Sequence, residues 1–177
     1  MLEKIIRAVK SNNKKRGRNI TIEAVIIMLL SCTAVMGKDV IGLEIKNDGG
    51  IKFIGKDGVF TPGDKSDPYF DNKWDGNTYT NNSTIFGKAT ESSSTGYGLK
   101  LSGNLENMNF INNGLISGEK ISNGYGIYNT GGIIGSIENN GSIFGKGYAN
   151  NYGIYNENSS IGSLLNSGGY IWLLWNL

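Results

Sequence analysis

The chain has 177 residues, and its 27 glycines, 2 prolines and many asparagines, serines and threonines suit short strands joined by tight turns rather than helices. Its net charge of +2 is uneven, because seven of the 17 lysines and arginines lie at or before Arg18, whereas the 10 lysines from Lys38 onward are outnumbered by 13 acidic residues. This acidic body argues against nucleic-acid binding, and the single cysteine, Cys32, excludes an internal disulfide framework and a cysteine-ligated zinc site.

The first 37 residues have the three parts of a secretory signal peptide. Seven basic residues lie within residues 1–19, the apolar run ITIEAVIIMLL follows at 20–30, and small residues continue to Gly37. We expect residues 1–37 to form a signal helix that engages the Sec translocon and is cleaved. Two alternatives stay open. One is a retained membrane helix over 20–37, which is short and contains Glu23. The other is a lipoprotein signal, LLSC, with Cys32 acylated. All three take the body out of the cytoplasm.

Residues 38–80 lack the repeat that fills the second half. Apolar and polar residues alternate around glycine turns over 39–60, which predicts two or three strands that begin or cap the repeats. Residues 61–82 hold both prolines and four aspartates and are predicted to form a loop. Asp71, Asp75 and Gly76 resemble a calcium loop, but Lys73 stands where a third ligand would be, so no metal site is expected.

Residues 112–138 and 139–165 are two copies of one 27-residue repeat, aligned without a gap. NNGLISG in the first copy becomes NNGSIFG in the second, and YGIYN occurs in both. A third copy begins at Asn166, and residues 81–111 are a degenerate version in which TGYGLKL stands for YGIYN and SGNLEN for GSIEN. Each copy has three short apolar segments, which predicts three strands and one turn of a parallel β-helix. The fold class expected over 81–169 is therefore an all-β solenoid of about three coils.

In such a solenoid each residue lies over its counterpart in the previous coil, at the strand spacing of ~4.8 Å. Isoleucines would form core columns, and asparagines would pass amide hydrogen bonds along columns at the corners. Glycines that end the NNGxIxG phrase would release a corner through a left-handed backbone. The repeat positions predicted to be structural are Asn112, Ile116, Gly118, Ile127, Asn129, Asn139, Ile143, Gly145, Ile154 and Asn156.

Residues 170–177, YIWLLWNL, leave the repeat before it is complete. Two tryptophans and three leucines in eight residues do not fit the pattern of the preceding copies. The segment is interpreted either as the aberrant end of a truncated reading frame or as a hydrophobic strand that lies over the last coil.

The signal and the repeats together resemble the autotransporters of fusobacteria and their relatives. LLSCTAVMG at residues 29–37 and the pattern NNGxIxG…YGIYN…GSI carry the resemblance, which covers the signal and roughly residues 85–169. It implies a right-handed parallel β-helix passenger that is secreted or exposed at the outer membrane, commonly as an adhesin or virulence-associated protein. That family ends in an outer-membrane barrel, which these 177 residues do not include. The expectation is thus a passenger fragment, periplasmic if the barrel is not supplied.

We expect a non-enzymatic adhesion or surface-display module without a cofactor. Its partners would be a host-cell or matrix surface, or sister chains, and its membrane contact would be limited to the signal or a lipid anchor. Tyrosines are the candidate contact residues, although strand packing alone also favours them. They are Tyr97, Tyr125, Tyr128, Tyr148, Tyr152 and Tyr155.

A β-helix polysaccharide lyase or hydrolase is the enzymatic alternative, and a non-functional truncated gene product is another. The sequence has no histidine and no arginine after Arg18, so a typical proton-transfer base is missing. Lys146 stands one repeat above Glu119, where a paired carboxylate would be needed. The carboxylates of the repeats are scattered, at Glu91, Glu106, Glu119, Glu138 and Glu157.

Overall fold

The computed structural model describes residues 42–65, 67–69, 71–89, 96–120, 122–149 and 151–169, and the backbone of 173–176. The predicted signal peptide, residues 1–37, and Cys32 lie outside the described residues. The strands are β1 (Leu43–Asn47), β2 (Ile51–Gly55), β3 (Gly58–Phe60), β4 (Lys73–Trp74), β5 (Thr78–Asn81), β6 (Thr84–Ala89), β7 (Gly96–Asn112), β8 (Leu115–Lys120), β9 (Gly124–Asn139), β10 (Ser142–Lys146), β11 (Asn151–Glu157), β12 (Ser160–Asn166) and β13 (Leu173–Asn176).

All regular structure in the described part of the chain is β-strand, which confirms the all-β fold class. No helix that is long and apolar enough to cross a membrane occurs among these residues. Strands β5 and β6 alternate buried and more exposed side chains along their whole lengths. This period of two is what directs one face of each strand into the core.

Parallel pairing between the repeat copies organises both sheets. In the small sheet β8 lies between β6 and β10, with Ile116 opposite Ile85 on one side and Ile143 on the other. In the large sheet β9 pairs with β7 on one side and with β11 and β12 on the other. Ile127 is opposite Ile154, again 27 residues along the chain. The 27-residue period of the sequence therefore sets which residues are opposite each other in these strand pairs.

The core consists of columns of equivalent apolar side chains. Each of these side chains is at most 1 % exposed, so each contributes about 1.5–3 kcal/mol of hydrophobic stabilisation. Columns of this kind need several stacked copies, because a single copy would leave its inner face in contact with water. The columns are Ile85, Ile116 and Ile143; Leu99, Ile127 and Ile154; Leu105 and Ile134; and Phe110 and Ile137.

The number of strands per copy differs from the expectation of three. The segments around Ile127 and Ile134 belong to one continuous strand, β9, rather than to two. Gly131 lies inside that strand with φ of +60°, a left-handed conformation that glycine adopts without steric cost. The pairing of β9 with β7 is interrupted at this point, because Thr130 and Ile133 have partners in the register and the two glycines between them do not.

The degenerate copy pairs differently from its sequence alignment. SGNLEN was aligned with GSIEN, which places Leu105 over Ile137, but the structure pairs Leu105 with Ile134 and Phe110 with Ile137. A β-bulge between Leu105 and Asn109 absorbs the extra residues. The alignment was wrong because it kept identical letters together, whereas the structure keeps the two buried side chains in the core columns.

The predicted loop over residues 61–82 is also partly wrong. It contains β4 and β5, which form an antiparallel pair, and β5 also pairs in parallel with β7. Tyr79 of β5 is fully buried and stacks on Phe110, with ring centroids 5.5 Å apart. Phe53 stacks on the other side of Tyr79 at 5.3 Å. The packing of Tyr79 between two phenylalanines therefore favours strands in a segment whose prolines and aspartates indicate a loop.

The N-terminal strands end the parallel pairing on one side of the large sheet. β1 pairs in parallel with β7 and antiparallel with β2, and β2 pairs antiparallel with β3. This agrees with the two or three strands predicted over residues 39–60. At the opposite side, β13 pairs in parallel with β11, so the backbone of residues 173–176 forms a strand on the last copy.

Candidate functional site

A buried ladder is formed by the first asparagine of each NNG phrase and its counterparts in the neighbouring copies. The side-chain amide Nδ2 of Asn81 donates to Oδ1 of Asn112 at 2.7 Å, Asn112 donates to Asn139 at 2.6 Å, and Asn139 donates to Asn166 at 2.8 Å. Asn81, Asn112 and Asn139 are fully buried. Because every interior amide both donates and accepts, the column satisfies polar groups that would otherwise destabilise a dry core.

A second, shorter ladder joins Asn129 and Asn156. Nδ2 of Asn129 donates to Oδ1 of Asn156 at 2.7 Å, and Nδ2 of Asn156 donates to the carbonyl of Ser159. The register places Leu101 opposite Asn129 on its other side. Oδ1 of Asn129 is consequently a buried acceptor without a hydrogen-bond partner among the described residues. The ladder stops where the degenerate copy has leucine in place of asparagine.

Gly118 and Gly145 were expected to adopt a left-handed backbone, and this expectation is wrong. Neither is among the described glycines with positive φ. A Cβ on Gly118 would instead lie 2.0 Å from the carbonyl oxygen of Tyr125, and one on Gly145 would lie 1.9 Å from that of Gly124. These positions need glycine because the backbones of the two sheets approach each other too closely for a side chain.

Four tyrosines form a stacked cluster on the outer side of the large sheet. The ring of Tyr125 stacks on that of Tyr152 at 5.7 Å, and the ring of Tyr128 stacks on that of Tyr155 at 5.8 Å. Within one copy, the Tyr125 and Tyr128 centroids are 5.3 Å apart. All four side chains are half-buried, so their ring faces and edges are partly accessible. We name Tyr125, Tyr128, Tyr152 and Tyr155 the tyrosine face.

Residues three apart in a regular strand point to opposite sides, so the Tyr125–Tyr128 contact requires a local irregularity. Gly126 and Ile127, which lie between them, are both buried, which breaks the alternation. A Cβ on Gly126 would be 2.6 Å from Cγ2 of Ile143, so only glycine fits there. YGIYN is therefore the sequence signal for two tyrosines on one surface.

Burial and one acidic neighbour raise the pKa of two of these phenols, Tyr125 and Tyr128. The Tyr128 hydroxyl donates to Oε2 of Glu157 at 2.5 Å. Burial, together with the Glu157 carboxylate, raises the pKa of Tyr128 to about 12. Burial also raises the pKa of Tyr125. Tyr125 and Tyr128 are consequently uncharged at neutral pH, and the tyrosine face can offer aromatic surface and hydroxyl groups.

The column continues below the tyrosine face with a different chemistry. Tyr97 lies opposite Tyr125 in the register, and Lys100 lies opposite Tyr128. The Lys100 ammonium is 6.0 Å from the Tyr97 ring centroid and forms an ion pair with Glu44 at 3.3 Å. A cation–π contact thus replaces one tyrosine pair in the degenerate copy.

The carboxylates do not form a catalytic pair in the described residues. Glu119 lies between two lysines, with Lys88 at 3.3 Å and Lys146 at 3.5 Å. Asp75, from the calcium-like stretch, accepts a hydrogen bond from the backbone N–H of Thr78. No group of three or more potential metal ligands occurs in the part of the chain that the structure describes.

A cavity of about 390 Å³ at the end of the small sheet was not anticipated from the sequence. The signal that could have found it is the alignment of Lys88, Glu119 and Lys146, which the repeat period brings into one column. In the sequence, the position of Lys146 one repeat above Glu119 argues only against a carboxylate pair. Its lining residues are Lys88, Ala89, Glu119, Lys120, Lys146, Gly147 and Tyr148, and we name it the lysine cavity.

Comparison of the chain with known protein families, with curated proteins and with solved structures gives no match. The described residues contain two polar ladders inside the protein, one aromatic cluster outside and one basic cavity.

Proposed function

We propose that the chain is an exported, non-enzymatic adhesion or surface-display module built on a parallel β-solenoid. It would act as part of an autotransporter-like passenger at the cell surface or outer membrane. The observation that carries the proposal is the tyrosine face, in which four aromatic side chains are held in contact at fixed spacing on a repeated scaffold.

The solenoid supports this role because it fixes the spacing of the exposed groups. Parallel registers of 27 residues relate β8 to β10 and β9 to β11 and β12, so each outward residue has a copy one strand spacing away. Regular arrays of this kind suit contact with extended partners such as glycans, matrix fibres or sister chains. Tyrosine provides large contact area with little loss of conformational entropy on binding.

The described residues include no pair of carboxylates arranged for proton transfer, which favours binding over catalysis. In the Glu119 column, lysines occupy both neighbouring positions. That arrangement offers no second acid at the spacing that glycoside hydrolysis requires.

The tyrosine face can be tested with a double variant, Tyr152→Thr with Tyr155→Thr. Threonine keeps a high strand propensity, so the sheet is retained while the aromatic surface is removed. We expect binding to host cells or immobilised matrix proteins to fall at least about tenfold, in line with the loss of two central aromatic contacts. The matched control is Ile133→Thr. Ile133 is 46 % exposed and lies in the same large sheet, but it is not part of the tyrosine face.

Export is tested separately from binding. Mass spectrometry of the mature N-terminus distinguishes cleavage near Ala34 or Gly37 from acylation at Cys32. Retention of all 177 residues in the cytoplasm would contradict the proposed surface role, whatever the tyrosine variants do.

A further inference from the structure

The lysine cavity concentrates the positive charge of the repeats in one place. Residues 81–169 contain four lysines, and three of them, Lys88, Lys120 and Lys146, line the cavity. The fourth, Lys100, is on the large sheet and is paired with Glu44. A local excess of ammonium groups in a concave surface attracts anions even though the surrounding body is acidic.

Glu119 fixes the positions of two of these lysines but neutralises only one of the three positive charges. Its carboxylate accepts Lys88 Nζ at 3.3 Å and Lys146 Nζ at 3.5 Å, so it holds one ammonium from the copy below and one from the copy above. Three lysines against one glutamate leave two positive charges in the lining. Lys120 has no ion pair within the described residues, so its ammonium is the principal group available to a ligand.

The dimensions of the cavity favour an extended ligand over a single small anion. The lysines belong to three successive parallel strands, β6, β8 and β10, so they span two strand spacings, or about 10 Å. The volume of about 390 Å³ falls in the range of small-molecule sites and exceeds what one sulfate or phosphate needs. Charges at this spacing suit a chain that carries an anion on successive units.

An aromatic side chain at the rim adds a second kind of contact. Tyr148 is 92 % exposed, and it lines the cavity beside Gly147. A Cβ on Gly147 would lie 2.8 Å from the carbonyl oxygen of Lys120, so glycine is required for the chain to pass this close to the lysine strand. An exposed tyrosine next to ammonium groups can pack its ring on the apolar face of a sugar while its hydroxyl stays in water.

We propose that the lysine cavity binds an acidic saccharide, whose sulfate or carboxylate groups contact Lys120 and the outer lysines and whose ring packs on Tyr148. This inference goes beyond the tyrosine face, because the cavity lies at the end of the small sheet and shares no residue with it. Binding is reversible and ionic, with no covalent step.

The test uses the full chain, with binding measured by calorimetry at 50 mM and 500 mM NaCl. The probes are a sulfated hexasaccharide, the same hexasaccharide after desulfation, a hexasaccharide of uronic acids and a short DNA duplex of equal charge. We expect the two acidic saccharides to bind, the desulfated probe to bind at least about tenfold more weakly, and affinity to fall at high salt because exposed charges are screened.

The variants divide the cavity into its two kinds of contact. Lys120→Gln is expected to weaken binding about fivefold, since one solvent-accessible ion pair is lost, and Lys120→Arg to restore most of it. Tyr148→Ala removes the aromatic contact from an exposed position without disturbing the core and is expected to weaken saccharide binding by a similar factor. Lys56→Gln, in the turn before β3, is the matched control and leaves binding unchanged.

Three results would overturn the inference. They are the absence of binding to every acidic saccharide, equal binding of the desulfated probe, and DNA binding as tight as saccharide binding, which would indicate a non-specific polyanion surface. Because Tyr152→Thr with Tyr155→Thr leaves the lysine cavity intact, failure of the tyrosine face and failure of the cavity give different patterns.

Discussion

At the scale of single residues, the two neighbouring asparagines of one NNG phrase differ in their exposure to water. Asn112 is fully buried in the ladder, whereas Asn113 forms a parallel but exposed ladder with Asn82 at 2.9 Å and Asn140 at 3.1 Å. The same chemistry thus occurs twice, once without competing water and once with it. Water competition is expected to decide which ladder stabilises the fold.

We predict that Asn112→Ala lowers the free energy of unfolding by about 2–4 kcal/mol, because it removes two ladder bonds. Asn139 Oδ1 then loses its buried donor, whereas Asn81 Nδ2 keeps only its hydrogen bond to the carbonyl of Ser83. Asn113→Ala should change the free energy of unfolding by less than about 0.5 kcal/mol, as for other exposed sites. Urea denaturation followed by circular dichroism measures both. Equal effects of the two variants would mean that the buried ladder is not a source of stability.

Alkaline pH should weaken the fold through Tyr79. Burial raises the pKa of its hydroxyl well above the usual value of 10, and the hydroxyl accepts a hydrogen bond from Asn72 Nδ2 at 2.7 Å. A raised pKa means that the folded state holds the proton more tightly than the unfolded state. The stability is therefore complete below pH 10 and is lost above it, by about 1.4 kcal/mol at pH 11 for this residue.

Tyr79→Phe separates this effect from lysine titration in the same range. At pH 8 the variant should be about 1–2 kcal/mol less stable, since Asn72 loses a buried partner. Between pH 8 and pH 11 its stability should fall less steeply than that of the unmodified protein. Identical slopes in the two proteins would show that Tyr79 ionises as readily in the folded as in the unfolded state.

At the scale of strands, the glycines of the repeat control how closely the two sheets approach. Gly118 of β8 faces the backbone of β7 and β9, and a Cβ there would lie 2.0 Å from one carbonyl oxygen and 2.6 Å from Cα of Tyr97. Gly131 of β9 has open space around its missing Cβ, but its φ is +60°. One glycine is required for space and the other for backbone conformation.

Substitution by alanine and by asparagine distinguishes these two requirements. Gly118→Ala and Gly118→Asn should both lower the free energy of unfolding by about 3 kcal/mol or more, because backbone atoms cannot move aside. At Gly131, alanine should lower it by about 1–2 kcal/mol, and asparagine by less, since asparagine tolerates the left-handed region. If asparagine were tolerated at position 118, the close approach between sheets would not be the reason for the glycine.

How far the elements could be predicted depended on whether the repeat period reached them. The columns of Ile116 with Ile143 and Ile127 with Ile154 follow from the 27-residue offset, because parallel strands stack equivalent positions. β4 and β5 lie outside the repeat, and the burial of Tyr79 that creates them depends on Phe53 and Phe110, which are distant in sequence. Contacts between residues that are distant in sequence cannot be predicted from local composition.

The candidate surfaces differ in the same way. The tyrosine face follows from YGIYN once the strands stack, although the consecutive burial of Gly126 and Ile127, which places both tyrosines on one surface, could not be inferred from alternation. The lysine cavity combines a column of charges, which the period predicts, with the position of Tyr148, which lies in a turn and follows no period. Surface shape at turns is the part that sequence periodicity leaves undetermined.

At the scale of the whole molecule, the 27-residue register makes one repeat removable. Deletion of residues 112–138 joins Ile111 to Asn139, and the chain then continues with NNGSIFG where it previously continued with NNGLISG. Asn139 would take the place of Asn112 above Asn81, and β10 would lie on β6. Every inward position keeps its residue type or a close substitute, so the solenoid proposal requires the shortened chain to fold.

We predict that this variant gives a strand-type circular dichroism spectrum and a cooperative urea transition. Its m-value should fall by about a fifth, because less surface is exposed when a shorter chain unfolds. Its midpoint should also fall, since Lys88 and Lys146 become neighbours without Glu119 between them. Deletion of residues 112–125, half a repeat, is the control and should abolish cooperative folding, because it places polar positions over core columns. If the half-repeat deletion folded as well as the full one, stability would not depend on register, and stacked equivalent positions could not be what holds this protein together.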